Sequence, residues 1–174
     1  MAPEAIIARH SADCAEIESL MSTYAFAFSI GVVAGLRSLG APAVISWAAR
    51  LGWLHLENTP LSFLAAPVTT YILTALAVGE LIADQLPNTP SRKSPLGFGT
   101  RLITGALCGA ALGAPSQSTI AGLVAGVLGA VVGTLGGYEA RVRLAKAIGK
   151  DYPVALVEDA IAIGGAFWIA SQFS

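Results

Sequence analysis

From Leu61 to Ile82 the chain runs twenty-two residues with a single charge, Glu80, and from Thr119 to Gly137 it runs nineteen residues with none. Wound as a helix at about 1.5 Å per residue, either stretch crosses a hydrocarbon core roughly 30 Å thick. Lipid offers the backbone no hydrogen-bond partners, so a helix, which bonds to itself, is the form such stretches take. Three more stretches are long enough to cross if charges are tolerated. These are Tyr24–Leu51 with Arg37 and Arg50, Leu96–Ala114 with Arg101, and Tyr152–Phe173 with Glu158 and Asp159. The sequence thus predicts an all-α, polytopic membrane protein of about five transmembrane helices. Gly35, Gly40 and Pro42 fall inside the first, and proline lacks the amide a helix interior needs. That helix is expected to be kinked or broken near Arg37–Pro42. A full break gives six segments, the second an amphipathic helix over Ala43–Trp53.

Composition agrees with lipid as the main solvent: 12% of residues are charged, about half the usual share in a soluble domain. Residues 1–22 read as a polar N-terminal tail, with Glu4, Arg9, His10, Asp13, Glu16 and Glu18, and residues 23–174 as one transmembrane domain. The tail lacks the apolar core and small-residue cleavage site of a secretory signal, and Met21 has the form of an alternative start. A net charge of -1 without a basic patch excludes nucleic acid as a partner. Cys14 lies in the tail and Cys108 in an apolar run, so no disulfide is expected. With His10 and His55 as the two histidines, no soft-ligand metal site can be assembled. The Gly-Phe-Gly run at Gly97–Gly99 lacks the strand-to-helix context of a nucleotide fingerprint, and there is no phosphate loop or nucleophile elbow. No cofactor and no catalytic residue is assigned, and the chain does not read as an enzyme.

Lys and Arg near helix ends are retained on the cytoplasmic side. Arg92, Lys93 and Arg101 follow the second predicted helix, and Arg141, Arg143, Lys146 and Lys150 follow the fourth. Five crossings therefore predict a multi-pass chain with the N-terminus cytoplasmic and the C-terminus outside. Trp53 and Trp168 then fall near the outer interface.

Glycine sets the packing. Gly105, Gly109 and Gly113 recur every four residues, and Gly122, Gly126, Gly129 and Gly133 at spacings of four, three and four. Each set gives a smooth helix face, and close backbone approach on such faces is what holds helices together in lipid. The stripes either hold the monomer together or mediate a homo-oligomer.

The charges within the apolar stretches suggest function. Glu80 and Asp84 are four apart and share a helix face; with Glu158, Asp159 and Arg37 they are candidates to line a solute or ion path. Arg92, Arg101, Glu139 and Arg141 are candidate counter-charges. An ionisable residue in a membrane helix costs about 2.5–3.5 kcal/mol when central, so each is expected to pair, and Arg37 to face protein. The alternative is a salt-bridged network that clamps helix ends. A shift of 97 matches Gly40 with Gly137, Ala48 with Ala145 and Gly52 with Gly149, which raises an inverted repeat of the transporter kind. The leading functional expectation is a small transporter or channel for an ion or polar solute. Second comes a non-catalytic accessory or scaffold subunit of a larger membrane complex, and third a phospholipid-processing enzyme with Asp84, Arg92 and Arg101 on a phosphate.

Three stretches together, AGLRSLGAPAVISWAARLG from Ala34, ELIADQLPNTPSRKSPLGFGTRLITGAL from Glu80 and VEDAIAIGGA from Val157, resemble the bacterial integral-membrane family catalogued as domain of unknown function 4126. The resemblance runs from about Thr23 to the C-terminus, with Gln85 standing where the pattern leads one to expect Lys. It implies a bacterial inner (plasma) membrane protein and transfers no catalytic residue.

Overall fold

The computed structural model describes residues 3–83, 95–149 and 152–174. Along these the chain forms α1 (Pro3–Leu36), α2 (Gly40–Arg50), a 3-10 turn (Ser62–Ala65), α3 (Pro67–Ala83), α4 (Pro95–Gly113), α5 (Thr119–Ile148) and α6 (Tyr152–Ser171). Among the described residues there is no strand. Four stretches, Ile17–Leu36, Pro95–Gly113, Thr119–Ala147 and Pro153–Ser171, are long and apolar enough to cross a membrane. The fold is that of a membrane-embedded helical protein.

The first predicted helix is broken, not kinked. Arg37 still donates its amide to the Val33 carbonyl at 2.8 Å, but Ser38 and Leu39 leave the helix, and α2 restarts at Gly40. Pro42 then falls in the first turn of α2, where amides have no intrahelical acceptor and a missing N–H costs nothing. It begins a helix instead of bending one. The second predicted helix also divides: Ala66 is extended (ψ 136°), as the residue before a proline is pushed to be, and α3 restarts at Pro67 with 17 residues. At the other extreme α5 continues past Gly137 to Ile148 and ends on the left-handed Gly149 (φ 74°), a usual helix terminator.

The glycine stripes are consumed inside the chain. A Cβ on Gly109 would run into the backbone of Gly122 and Gly126, and one on Gly113 into that of Ser118. Further along the same stripe α5 takes α1: Gly129 and Gly133 lie against the backbone of Phe28 and Val32, and Gly31 and Gly35 of α1 against Gly126 and Ala130. Gly126 stands where three helices meet, touching Gly31, Gly105 and Gly109. The Gly126 face is therefore an intramolecular one and is not free to pair two copies.

The remaining elements pack on the other side of α1 through polar and aromatic contacts. Ser46 of α2 bonds Thr70 of α3 between hydroxyls at 2.9 Å, and the Trp47 indole N–H donates to Thr74 Oγ1 at 3.0 Å. Arg50, at the end of α2, lies over the Tyr71 ring at 5.5 Å. Leu54, Leu56 and Leu64, from the connection between α2 and α3, are buried in the same apolar cluster as Leu112, Ala166 and Ile169.

Contacts fix the direction of each helix. Tyr24 donates to Ser118 at 3.1 Å, and Thr134 to the Gly35 carbonyl at 3.3 Å, so α1 and α5 run the same way. Phe26 stacks edge-on with Trp168 and Phe173, and Arg37 pairs with Asp159, so α1 and α6 run oppositely. The start of the α1 span and the end of α6 consequently lie at one end of the bundle, beside the Ser118 turn. This corrects the expected placement of the two termini on opposite sides. The break at Arg37 is the reason, because it turns the chain back where the five-helix count carries it through. The shift-97 match joins unlike segments: Gly40 opens α2 after a break, whereas Gly137 lies inside α5 and Gly149 is its left-handed cap.

Candidate functional site

Of the charged residues predicted as a site, Arg37, Glu80, Glu158, Asp159 and Arg141 lie toward the end of the bundle where α1 breaks. Arg37, the residue that follows α1, is 2% exposed and donates Nε to Asp159 Oδ1 at 2.6 Å, with Nη2 on the same oxygen. The expectation that Arg37 faces protein holds. Its position also has a local logic: a helix C-terminus carries negative partial charge and favours a cation.

Glu80 answers it from the other side of the break. Its Oε1 accepts from the Ser38 amide at 2.9 Å and the Ser38 hydroxyl at 2.6 Å, and its Oε2 accepts from the Leu39 amide at 2.8 Å. Leu39 precedes α2 with no capping side chain of its own. The carboxylate of α3 thus serves as the cap that a Ser or Asp ahead of the helix normally supplies, and it sets an anion at the positive end of α2. The break is closed at one lip by Arg37–Asp159 and at the other by Glu80.

The other candidates are arranged around this centre. Glu158 of α6 faces Arg141 of α5, with Oε2 and Nη1 3.8 Å apart. Arg101 is buried at the start of α4 and donates Nη1 to the Gly97 carbonyl at 3.2 Å. Glu139 does not join them: it pairs with Arg143 four residues on, at 2.9 Å on the exposed face of α5. Asp84 and Arg92 lie outside the described residues. Sequence reasoning missed Ser38, whose amide and hydroxyl both reach Glu80, and the hydroxyls of Ser46 and Thr70. Small hydroxyl residues in apolar segments are a recurring interhelical bond donor in membranes, and that was the available signal.

A groove of about 230 Å³ opens between α2 and α3 on one side and α1 and α6 on the other. Its wall is apolar for most of its length, with Trp47, Thr74 and Phe167, and ends at Arg37 and Glu80. The family model described as "Domain of unknown function (DUF4126)" matches residues 24–172. The chain belongs to this family. The match begins within the α1 span and takes in the break, both of its clamps and all of α4 and α5. No curated protein and no solved structure matches the chain.

Proposed function

We propose that this DUF4126 member is a small membrane transporter or channel for an ion or polar solute, with its site at the break between α1 and α2. The observation that carries the reading is a membrane helix interrupted beside a buried Arg37–Asp159 pair and a capping Glu80, with Arg37 and Glu80 both lining one groove. Interrupted helices serve transporters because they expose backbone groups and dipole ends at membrane depth, where solutes and ions can exchange for them. Here Glu80 occupies the amides of Ser38 and Leu39, and its release opens them. The basic end, with Arg101, Arg141, Arg143 and Lys146, faces the cytoplasm of a bacterial inner membrane by the positive-inside rule, which leaves both termini outside.

Flux in proteoliposomes tests this, read with a pH dye and a small panel of ions and osmolytes. Wild type is expected to conduct at least one of them, and Glu80→Gln and Asp159→Asn to abolish that flux with the fold intact. Wild-type vesicles silent under every gradient would overturn the proposal.

A second reading, an accessory or scaffold subunit, is favoured by α3. Val68, Tyr71, Ile72, Leu76 and Ile82 on that helix are about half exposed or more, a broad apolar face for lipid, a second copy or another membrane subunit. Co-purification with a fixed set of subunits, in the absence of flux, selects this reading.

A further inference from the structure

Two neighbouring carboxylates on α6 each face an arginine, at different depths. Asp159 is closed on Arg37 in the interior, while Glu158 stands 3.8 Å from Arg141, with the two side chains 11% and 20% exposed. The pair sits at a second cavity, a cleft of about 390 Å³ between α5 and α6. Apart from Arg141 and Glu158 the lining is apolar, with Leu36, Leu144, Val157 and Ile161 among it. Leu144, Val157 and Ile161 are 50%, 59% and 61% exposed, so the cleft opens sideways, toward the surroundings of the bundle.

The chemistry of this cleft names its occupant. An apolar slot reached from the side of a membrane protein suits an acyl chain, whose burial is favourable in proportion to the apolar surface it covers. One guanidinium and one carboxylate a few ångströms apart suit a headgroup that carries one anion and one cation at similar spacing. A guanidinium binds phosphate oxygens in a fork. A carboxylate accepts N–H donors and repels a second anion. The lining has no net charge, which matches a zwitterion and disfavours a headgroup with a bare negative charge. We propose that the α5–α6 cleft binds one phospholipid bearing a primary ammonium, as in phosphatidylethanolamine. Its acyl chain lies along Leu36, Val157 and Ile161, its phosphate on Arg141 and its ammonium on Glu158. This site is separate from the break between α1 and α2 and stands whether or not the protein transports a solute.

Native mass spectrometry of the full chain in detergent, with one lipid added at a time, tests it. Three lipids of matched acyl chains are compared: phosphatidylethanolamine, phosphatidylcholine, which has no N–H to donate, and phosphatidylglycerol, which has no ammonium. One phosphatidylethanolamine is expected to remain bound with roughly tenfold preference over the other two, the effect of a single charge-assisted hydrogen bond. Glu158→Gln is expected to level the three. Val157→Trp, at an exposed position, is expected to fill the slot and displace all of them at an unchanged melting temperature. Equal retention of the three lipids by wild type overturns the proposal, as does a preference for phosphatidylglycerol. So does an ethanolamine preference that survives either substitution.

Discussion

The helix pairs α4–α5 and α5–α6 are both consecutive and antiparallel, and they are built on opposite plans. In the first, backbones touch: Gly105 and Gly109 lie on Gly126, and Gly113 on the Ser118 turn. In the second the helices part around a cleft of about 390 Å³, and α6 packs instead on α1 and α2, joined to α1 by the Arg37–Asp159 pair and by the Phe26 ring stacked on Trp168 and Phe173. The difference follows from the solvent. Lipid tails are as apolar as leucine, so large apolar side chains gain nothing by turning inward. Dispersion and weak Cα–H···O bonds reward only backbones that come close, which glycine permits. Past Gly133 the backbones no longer touch, since a Cβ on Gly136 would meet nothing within 4 Å and one on Gly137 only side chains, and charge and aromatic contacts share the work of holding helices together.

The largest effect is expected from filling the glycine seam. Gly126→Leu forces a side chain into three backbones, and overpacking of that kind costs about 3 kcal/mol or more; loss of the folded monomer in detergent is the readout. Gly164→Leu on α6 is the matched control, since a Cβ there meets nothing within 4 Å, and its effect should stay within about 0.5 kcal/mol. Equal damage from both would break the comparison.

Next comes the clamp on α6. Asp159→Ala leaves a buried arginine without its carboxylate, which costs about 3–5 kcal/mol, whereas a double change to Arg37→Met with Asp159→Leu removes both charges and should regain most of it. Thermal melting of the three proteins separates a clamp from a passenger pair. The smallest effect belongs to Glu139→Ala. Its partner Arg143 is on its own helix, with side chains 54% and 77% exposed, so the change should cost no more than about 0.5 kcal/mol. A larger loss would show that the outer face of α5 carries structure that its exposure does not suggest.

Much of this architecture was legible in the residues. The apolar runs gave an all-helical membrane protein, the spacing of Gly105 to Gly133 gave the central seam, and the cost of a membrane arginine gave Arg37 a protein partner. What stayed hidden depended on distant pairs. Glu80 and Leu39 are 41 residues apart in sequence, and no local pattern reveals that a carboxylate on α3 caps α2. Whether Gly35 to Pro42 kinks or breaks a helix turns on that cap: without an acceptor for Ser38 and Leu39, a break leaves orphan amides in lipid. The kinked alternative carries the chain on through the bundle, whereas the break returns it, so that the α1 span starts at the end where α6 finishes. Equally hidden was the placement of Arg101, buried at the start of α4 with Nη1 on the Gly97 carbonyl of its own helix.

The Phe26–Phe173 contact, with ring centroids 5.8 Å apart, has a consequence for how the chain can be rewired. The first and last membrane helices meet at one face, so the bundle is topologically almost a closed loop. Domains whose ends lie close together on one surface tolerate circular permutation. A short linker from residue 174 back to residue 24, with new ends cut between α3 and α4, would detach α1 to α3 from α4 while keeping the order of every helix around the loop. Such a permutant divides the bundle at a place where the glycine seam is not interrupted. It offers a way to ask whether that seam assembles first and the clamps at Arg37 and Glu80 close afterwards.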